Sequence, residues 1–153
     1  MTIAECQVET IKHIENVRKF IRIFTDKLTK RGVDHDAKKL ESPEVEIFTE
    51  YTPKLATVEY GSEEYKDCLK HMDVALQHHY ASYRHHPEHF EHGIDGMNLV
   101  DIVEMLCDWK AASLRHNDGN LLKSIELNAK RFGYDDQLKH IFLNTAKLFD
   151  DVE

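Results

Sequence analysis

Apolar residues recur three or four positions apart along most of this 153-residue chain, and this spacing limits the folds it can adopt. In the first segment, the residues so spaced are Ile11, Ile14, Val17, Ile21, Phe24 and Leu28. This period places them on one face of an amphipathic α-helix, which we expect over residues 4–30, ended by Gly32. We find no convincing strand pattern. The sequence therefore predicts one all-α domain over residues 1–153, a helical bundle of about six helices.

Capping residues and helix breakers set the ends of the later helices. Side chains that can act as N-caps precede four segments: Ser42, Ser62, Asn98 and Asn120. The expected helices cover residues 43–51, 63–86, 99–116, 121–131 and 135–149. Pro53 should end the first of these and Pro87 the second. Residues 54–61, 88–96 and 117–120 are then expected to be connections or turns.

The expected helix over residues 99–116 has an apolar face and an acidic face. Its apolar residues are Leu99, Ile102, Val103 and Leu106, and its acidic residues are Asp101, Glu104 and Asp108. Asp101 either completes a capping box with Asn98 or has a functional role. Asp108 lies in the second half of the helix, where the dipole disfavours an acid. A nearby cation, either a metal ion or a basic side chain, would explain it better.

Composition excludes several classes of function. The formal net charge is −8 and the basic residues are scattered, which argues against a nucleic-acid binder. No apolar run approaches the roughly 18 residues of a membrane span, and the acidic N-terminal segment does not resemble a signal peptide. The three distant cysteines are typical of free thiols. We therefore expect a cytoplasmic protein that does not act on membranes.

The middle of the chain is rich in histidine. Seven of the eleven histidines fall within residues 70–92, and they are His71, His78, His79, His85, His86, His89 and His92. Clustered imidazoles beside carboxylates are what a transition-metal site needs, although a solvated His-rich helix would give the same composition. His79 falls on the interior stripe of its helix. In the interior, each ring nitrogen of His79 needs a partner. A metal on one nitrogen and a carboxylate or carbonyl on the other would meet this need.

Several helical metal motifs are absent from the sequence. No histidine has Glu three residues before it, as carboxylate-bridged di-iron bundles require. No histidine has Glu four residues after it, and neither HExxH nor a Cys/His finger is present. What remains is an ordered set: His13 on the first helix, the doublet His35-Asp36, further histidines, and Asp108 on a late helix.

This ordered set resembles the HD-domain superfamily of metal-dependent phosphohydrolases, which are all-α. The segment from His35 to Lys39 is similar to the superfamily's HDxxK form. The resemblance implies that His13, His35, Asp36 and Asp108 hold one ion, and that His79 with His85 or His86 adds a second. We choose His86 of that pair. The spacing from His13 to His35 is shorter than usual, and no GYP triplet follows His85-His86. The whole chain also resembles a phage and bacterial family with the blocks HHPEHF and EMLCDWKAA, a likeness that brings no activity.

The resemblance implies hydrolysis of a small phosphate ester, such as a nucleotide, by a water that one or two divalent transition metals activate. Mixed nitrogen and oxygen ligands suit Mn, Fe, Co, Ni or Zn. Lys39 and Arg115, together with Arg84, are candidates to neutralise developing charge. His89, with His92 and His116 as alternatives, could protonate the leaving oxygen. Two other hypotheses stay open: an HD-type di-iron oxygenase, and a non-catalytic metal-stabilised protein that binds a nucleotide or partner. The oligomeric state is left open.

Overall fold

The computed structural model describes residues 1–55, 57–58, 62–115 and 119–152. These residues form six α-helices and several short 3₁₀ helices, and none of them is in a strand. The all-α prediction is therefore confirmed. The chain divides into two compact units, Met1–Asp34 and His35–Glu153, so the extent of a single domain stays a prediction. None of the helices in the described ranges combines the length and the apolar character that crossing a membrane requires.

The first unit is a single long helix, α1, over Ile3–Asp34. Thr2 begins it with a reciprocal pair of bonds: the Glu5 backbone N–H donates to Thr2 Oγ1, and the Thr2 backbone N–H donates to Glu5 Oε2. The predicted end at Gly32 was wrong, because the helix continues for two more residues. Among the described residues, no atom lies within 4 Å of a Cβ placed at Gly32. A helical glycine costs only about 1 kcal/mol relative to alanine, so the preceding turns can extend through it.

The second unit contains the other five α-helices. They are α2 (Glu44–Leu55), α3 (Glu63–Ser82), α4 (Leu99–Ser113), α5 (Leu121–Phe132) and α6 (Asp136–Ala146). The 3₁₀ helices are Ala37–Leu40, Pro87–His89, Gly93–Gly96 and Lys147–Val152. The predicted loop over residues 88–96 is thus mostly 3₁₀ helix. The predicted connection at Tyr60-Gly61, the turn at Asn117-Asp118 and the candidate acid His116 lie outside the described residues.

The predicted helix starts were more accurate than the predicted ends. Ser62 accepts a bond from the Tyr65 backbone N–H at 3.1 Å, Asn120 caps α5, and Gly133 ends α5 with φ 69°, a conformation that favours glycine. α2 was expected to stop before Pro53 but contains it. A proline there removes one intrahelical donor, and α2 ends only two residues later. α4 and α6 end at Ser113 and Ala146, before the predicted residues 116 and 149.

The apolar core of the second unit lies between α4, α5 and α6. Its buried residues are Ile94, Met105, Leu106, Leu121, Ile125, Phe142 and Ala146. Two residues expected on the core face of α4, Leu99 and Val103, are 65% and 37% exposed. Ile141 and Leu148, expected on the inner face of the last helix, are also exposed. α4 is rotated relative to the prediction because its acidic residues Asp101 and Glu104 are buried.

The buried carboxylate of Asp101 accepts hydrogen bonds from two residues, Asn98 and Arg84. Its Oδ2 accepts the Asn98 backbone N–H at 3.0 Å, which completes the capping box at the start of α4. Arg84 donates to both carboxylate oxygens, Nε to Oδ1 at 3.1 Å and Nη2 to Oδ2 at 2.9 Å. The capping alternative for Asp101 is therefore confirmed. Arg84, offered as a group that neutralises substrate charge, joins the end of α3 to α4.

Arg84→Ala should destabilise the fold. The substitution removes a bidentate partner from a carboxylate that is 0% exposed, while Arg84 itself is 42% exposed. We expect a loss of about 2–3 kcal/mol, below the roughly 3–5 kcal/mol for breaking a fully buried pair. Urea unfolding followed by circular dichroism measures it. Arg84→Lys keeps the charge but not the paired geometry, so an equal loss in both variants would assign the effect to the bidentate bonds. An unchanged midpoint in Arg84→Ala would contradict the assigned role.

Candidate metal centre

Seven side chains of the second unit converge on one partly buried site. We call them the histidine–carboxylate cluster: His35, Asp36, His79, His85, His86, Glu104 and Asp108. The doublet His35-Asp36 precedes the 3₁₀ helix Ala37–Leu40, His79 lies in the last turn of α3, and His85-His86 follow α3. Glu104 and Asp108 lie four residues apart on α4, so they share one face of that helix.

The backbone at Asp36 explains how adjacent residues reach one site. On a regular helix, His35 and Asp36 would diverge by about 100°, so the sequence allowed convergence only at a helix end or bend. Asp36 has φ 55°, in the left-handed region, which aspartate tolerates better than most residues. Asp36 Oδ1 then lies 3.3 Å from His79 Nε2 and 3.5 Å from His85 Nε2. Asp36 Oδ2 lies 3.6 Å from His35 Nε2.

His79 is held by a buried carboxylate on its other nitrogen. Glu44, the first residue of α2, is 0% exposed and accepts from His79 Nδ1 at 2.8 Å and from His78 Nδ1 at 2.7 Å. Because the carboxylate accepts the hydrogen bond of Nδ1–H, the proton of the neutral ring stays on Nδ1, and Nε2 presents its lone pair to the cluster. Burial lowers the pKa of His79. Its Nε2 lies 2.9 Å from His86 Nε2, and burial with neighbouring imidazoles lowers the pKa of His86 to about 3.

The opposite side of the cluster is strongly acidic. His35 Nδ1 lies 3.0 Å from Glu104 Oε1, and His35 Nε2 lies 3.5 Å from Asp108 Oδ1. Hydrogen bonds to Asp108 and Glu104 raise the pKa of His35 to about 10. Burial raises the pKa of Asp108, but bonding to His35 and nearby imidazoles outweigh it, so the net shift is downward. The negative electrostatic potential of these carboxylates favours a cation. A metal ion can take the place of the proton on the His35 imidazole.

Three buried polar atoms of the cluster are left without a hydrogen-bond partner among the described residues. They are Asp36 Oδ1 and both ring nitrogens of His85. His85 is 1% exposed, and its Nδ1 lies 3.2 Å from Glu104 Oε1 without the alignment of a hydrogen bond. Orphaned buried polar atoms are rare in folded proteins and call for an explanation such as a bound ion. Both the donor types and the positions of the donor atoms in the cluster therefore fit a bound metal ion.

The donor atoms form three overlapping groups, each with all its atoms within 4.8 Å of one another. The groups are Asp36-His79-His85-His86, His35-His85-Glu104 and His35-Asp36-Asp108. Each contains both imidazole nitrogen and carboxylate oxygen, a mixture that suits Mn, Fe, Co, Ni or Zn better than Mg. Asp36, His35 and His85 each belong to two groups, so two neighbouring ions could share ligands.

Most of the predicted ligands meet at this site. His35, Asp36, His79, His86 and Asp108 all belong to the cluster, and so does His85, the alternative to His86. His13 lies on α1, in the other unit, and its role as a ligand stays a prediction. Glu104 was not among the ligands predicted from the sequence. Its spacing of four from Asp108 was the available signal.

The predicted catalytic residues have separate environments. Lys39 Nζ donates to Asp36 Oδ2 at 2.6 Å, and the bond and charge of Lys39 outweigh burial and lower the pKa of Asp36. His89 Nδ1 donates to the Tyr80 carbonyl at 2.8 Å, and His89 belongs to none of the donor groups. Arg115 is exposed in the turn after α4. The catalytic roles of these three residues stay predictions.

The chain belongs to a family of unknown function (DUF5662), whose model matches residues 2–150. Neither a curated protein nor a solved structure matches it.

Proposed function

We propose that this member of the family binds two divalent transition-metal ions at the histidine–carboxylate cluster and hydrolyses small phosphate esters there. The observation that carries the proposal is the shared position of Asp36 between two donor groups, together with its buried Oδ1 that lacks a hydrogen-bond partner among the described residues. The resemblance of the His35-Asp36 doublet, Lys39 and Asp108 to the HD-domain phosphohydrolases supports the same reaction class.

The two oxygens of Asp36 divide the proposed ligands into two sets. Oδ1 faces His79 and His85, and His86 belongs to the same donor group. Oδ2 faces His35, which shares its group with Asp108. A carboxylate with one oxygen toward each set is suited to bridge two ions. Glu104 lies beside His35 and His85 and can orient both rings or act as a further ligand.

Divalent ions bound in this way lower the pKa of a coordinated water and stabilise negative charge on phosphoryl oxygens. The chain's own residues set up the conditions for this chemistry. Glu44 fixes the tautomer of His79, and Lys39 partly neutralises Asp36 and stands at the exposed edge of the site. The three cysteines are free thiols, which suits the cytoplasmic location that the sequence predicts.

The experiment is a metal-dependent phosphatase screen. Protein loaded separately with Mn, Fe(II), Co, Ni or Zn is assayed for release of inorganic phosphate from a panel of phosphate monoesters, nucleotides among them. We expect turnover with at least one metal, abolished in Asp36→Asn and retained in Asp95→Ala, an exposed acid outside the cluster. Metal-loaded protein without turnover on the whole panel would contradict the proposed hydrolysis.

The same ligand types favour one alternative, a di-iron oxygenase, because four imidazoles and three carboxylates are also suitable iron ligands. That reaction predicts a visible absorption that depends on iron and changes with oxygen and an organic substrate. Phosphate release by the colourless Mn form under anaerobic conditions would exclude it. The same result would exclude a purely non-catalytic role.

A further inference from the structure

A pocket of about 280 Å³ opens next to the cluster. His86 and Asp108, two proposed ligands, line it. Asn128 and Arg131 of α5 line it as well, together with Glu88 from the 3₁₀ helix Pro87–His89. A molecule in this pocket would therefore touch the proposed metal site and α5 at once.

The walls of the pocket combine two aromatic side chains with hydrogen-bonding groups. Trp109 and Phe132 have ring planes within 4° of each other, and both also pack against the apolar core. Asn128 is half-buried, and within the described ranges its side-chain amide makes no hydrogen bond. An amide offers two donors and one acceptor, so it can pair with a hydroxyl or a second amide.

The charge of Arg131 in this pocket is already matched. Arg131 Nη2 donates to Glu88 Oε1 at 2.6 Å, and the guanidinium also lies over the Phe132 ring. A ligand with a second anionic group would have to compete with Glu88 for Arg131 and would lie close to that carboxylate. Repulsion between an anionic ligand group and the nearby Glu88 carboxylate would lower the affinity for that ligand. The pair therefore favours an uncharged polar group over a second anion.

We infer that this pocket binds the leaving group of the substrate, and that this group is a small, uncharged, hydroxylated alcohol. The inference rests on the proposed hydrolysis and adds the substrate class to it. The volume is slightly below the ~300–1,000 Å³ of typical ligand pockets, so it suits one ring or a short polyol and not a dinucleotide. Asn128 and Glu88 are the residues that we assign to specificity.

Two probes that differ at one carbon test this class. Glycerol 3-phosphate ends in an uncharged hydroxymethyl group, and 3-phosphoglycerate has a carboxylate in its place. We expect the metal-loaded protein to favour glycerol 3-phosphate by about tenfold or more in kcat/KM. Glu88→Gln, which releases the charge of Arg131, should shift that ratio toward 3-phosphoglycerate by about tenfold. Asn128→Ala should raise KM for glycerol 3-phosphate and leave metal content unchanged.

A matched pair of variants tests the location. Ala112 lines the pocket, and Ala111 is the adjacent exposed residue outside it. Ala112→Leu should lower kcat/KM for glycerol 3-phosphate by about tenfold or more, because its added carbons occupy the pocket. Ala111→Leu should have no effect. Equal behaviour of the two leucine variants, together with an unchanged probe ratio in Glu88→Gln, would overturn the pocket assignment.

The pocket inference and the proposed hydrolysis fail in different ways. Metal-loaded protein that hydrolyses other esters of the panel but not glycerol 3-phosphate, or that favours 3-phosphoglycerate, would overturn the substrate class alone. Metal-loaded protein with no turnover on any ester would overturn the hydrolysis and the leaving-group site together.

Discussion

Replacing Asp36 should abolish the binding of transition metals. Asp36 is the one carboxylate with an oxygen facing each of two donor sets, and its Oδ1 is buried without a hydrogen-bond partner among the described residues. Loss of a group that only orients a ligand weakens metal binding by about 10–100-fold. Loss of a shared ligand should therefore exceed ~100-fold. Isothermal titration of metal-free protein with Mn or Zn measures the change.

The choice of substitution at Asp36 affects how the result is read. Asp36 has φ 55°, and alanine in that region costs about 1–2 kcal/mol of strain, so Asp36→Ala can lose stability for a reason unrelated to metal. Asp36→Asn tolerates the backbone and keeps an oxygen that can accept from Lys39. Asp95→Ala is the matched control. Near-normal metal affinity in a folded Asp36→Asn would contradict the assignment of Asp36 as a shared ligand.

Glu44→Ala should weaken metal binding although Glu44 belongs to none of the three donor groups. The buried carboxylate accepts from the Nδ1 atoms of both His78 and His79. Its removal leaves His79 free to change tautomer or rotate, so we expect metal affinity to fall by about 10–100-fold. His79 is 2% exposed, and its unpaired Nδ1 should also cost about 1–3 kcal/mol of folding stability. Metal titration and urea unfolding measure the two effects.

Two further variants separate positioning by Glu44 from general damage to α2. Glu44→Gln keeps one acceptor oxygen and should give an intermediate metal affinity. Glu46→Ala removes an exposed acid from the same helix and should match the wild type in both measurements. Metal affinity that is unchanged in Glu44→Ala, alongside reduced stability, would show that Glu44 supports the fold but does not position His79.

The fold class could be predicted from the sequence because it depends on local signals. The apolar period and the caps at Ser62, Asn98 and Asn120 act within a few residues of one another. Helix ends were less accurate because they depend on tertiary context: α1 passes through Gly32, and α2 contains Pro53. The predicted orientation of α4 about its axis was also wrong. The sequence could not show that buried Asp101 and Glu104 would turn Leu99 and Val103 toward solvent.

The site could be predicted only in part. The sequence predicted five of the cluster's residues, because the order of histidine and aspartate along the chain can be read directly. These are His35, Asp36, His79, His86 and Asp108. Glu44 was assigned only to the start of its helix, since an acid in a first helical turn is common. Its contact with His79 spans 35 residues, and no local pattern carries that information. His13 stays a prediction, because it lies on α1 in the other unit.

The most direct test of the metal centre is the metal content per chain, measured by elemental analysis of untagged protein purified without a chelator. The two donor sets that share Asp36 predict about two transition-metal ions per chain in wild-type protein, and loss of both in Asp36→Asn. Protein that contains no metal, and takes up none when soaked with Mn, Fe(II), Co, Ni or Zn, would contradict the proposed metal centre and leave the cluster a partly buried set of histidines and carboxylates.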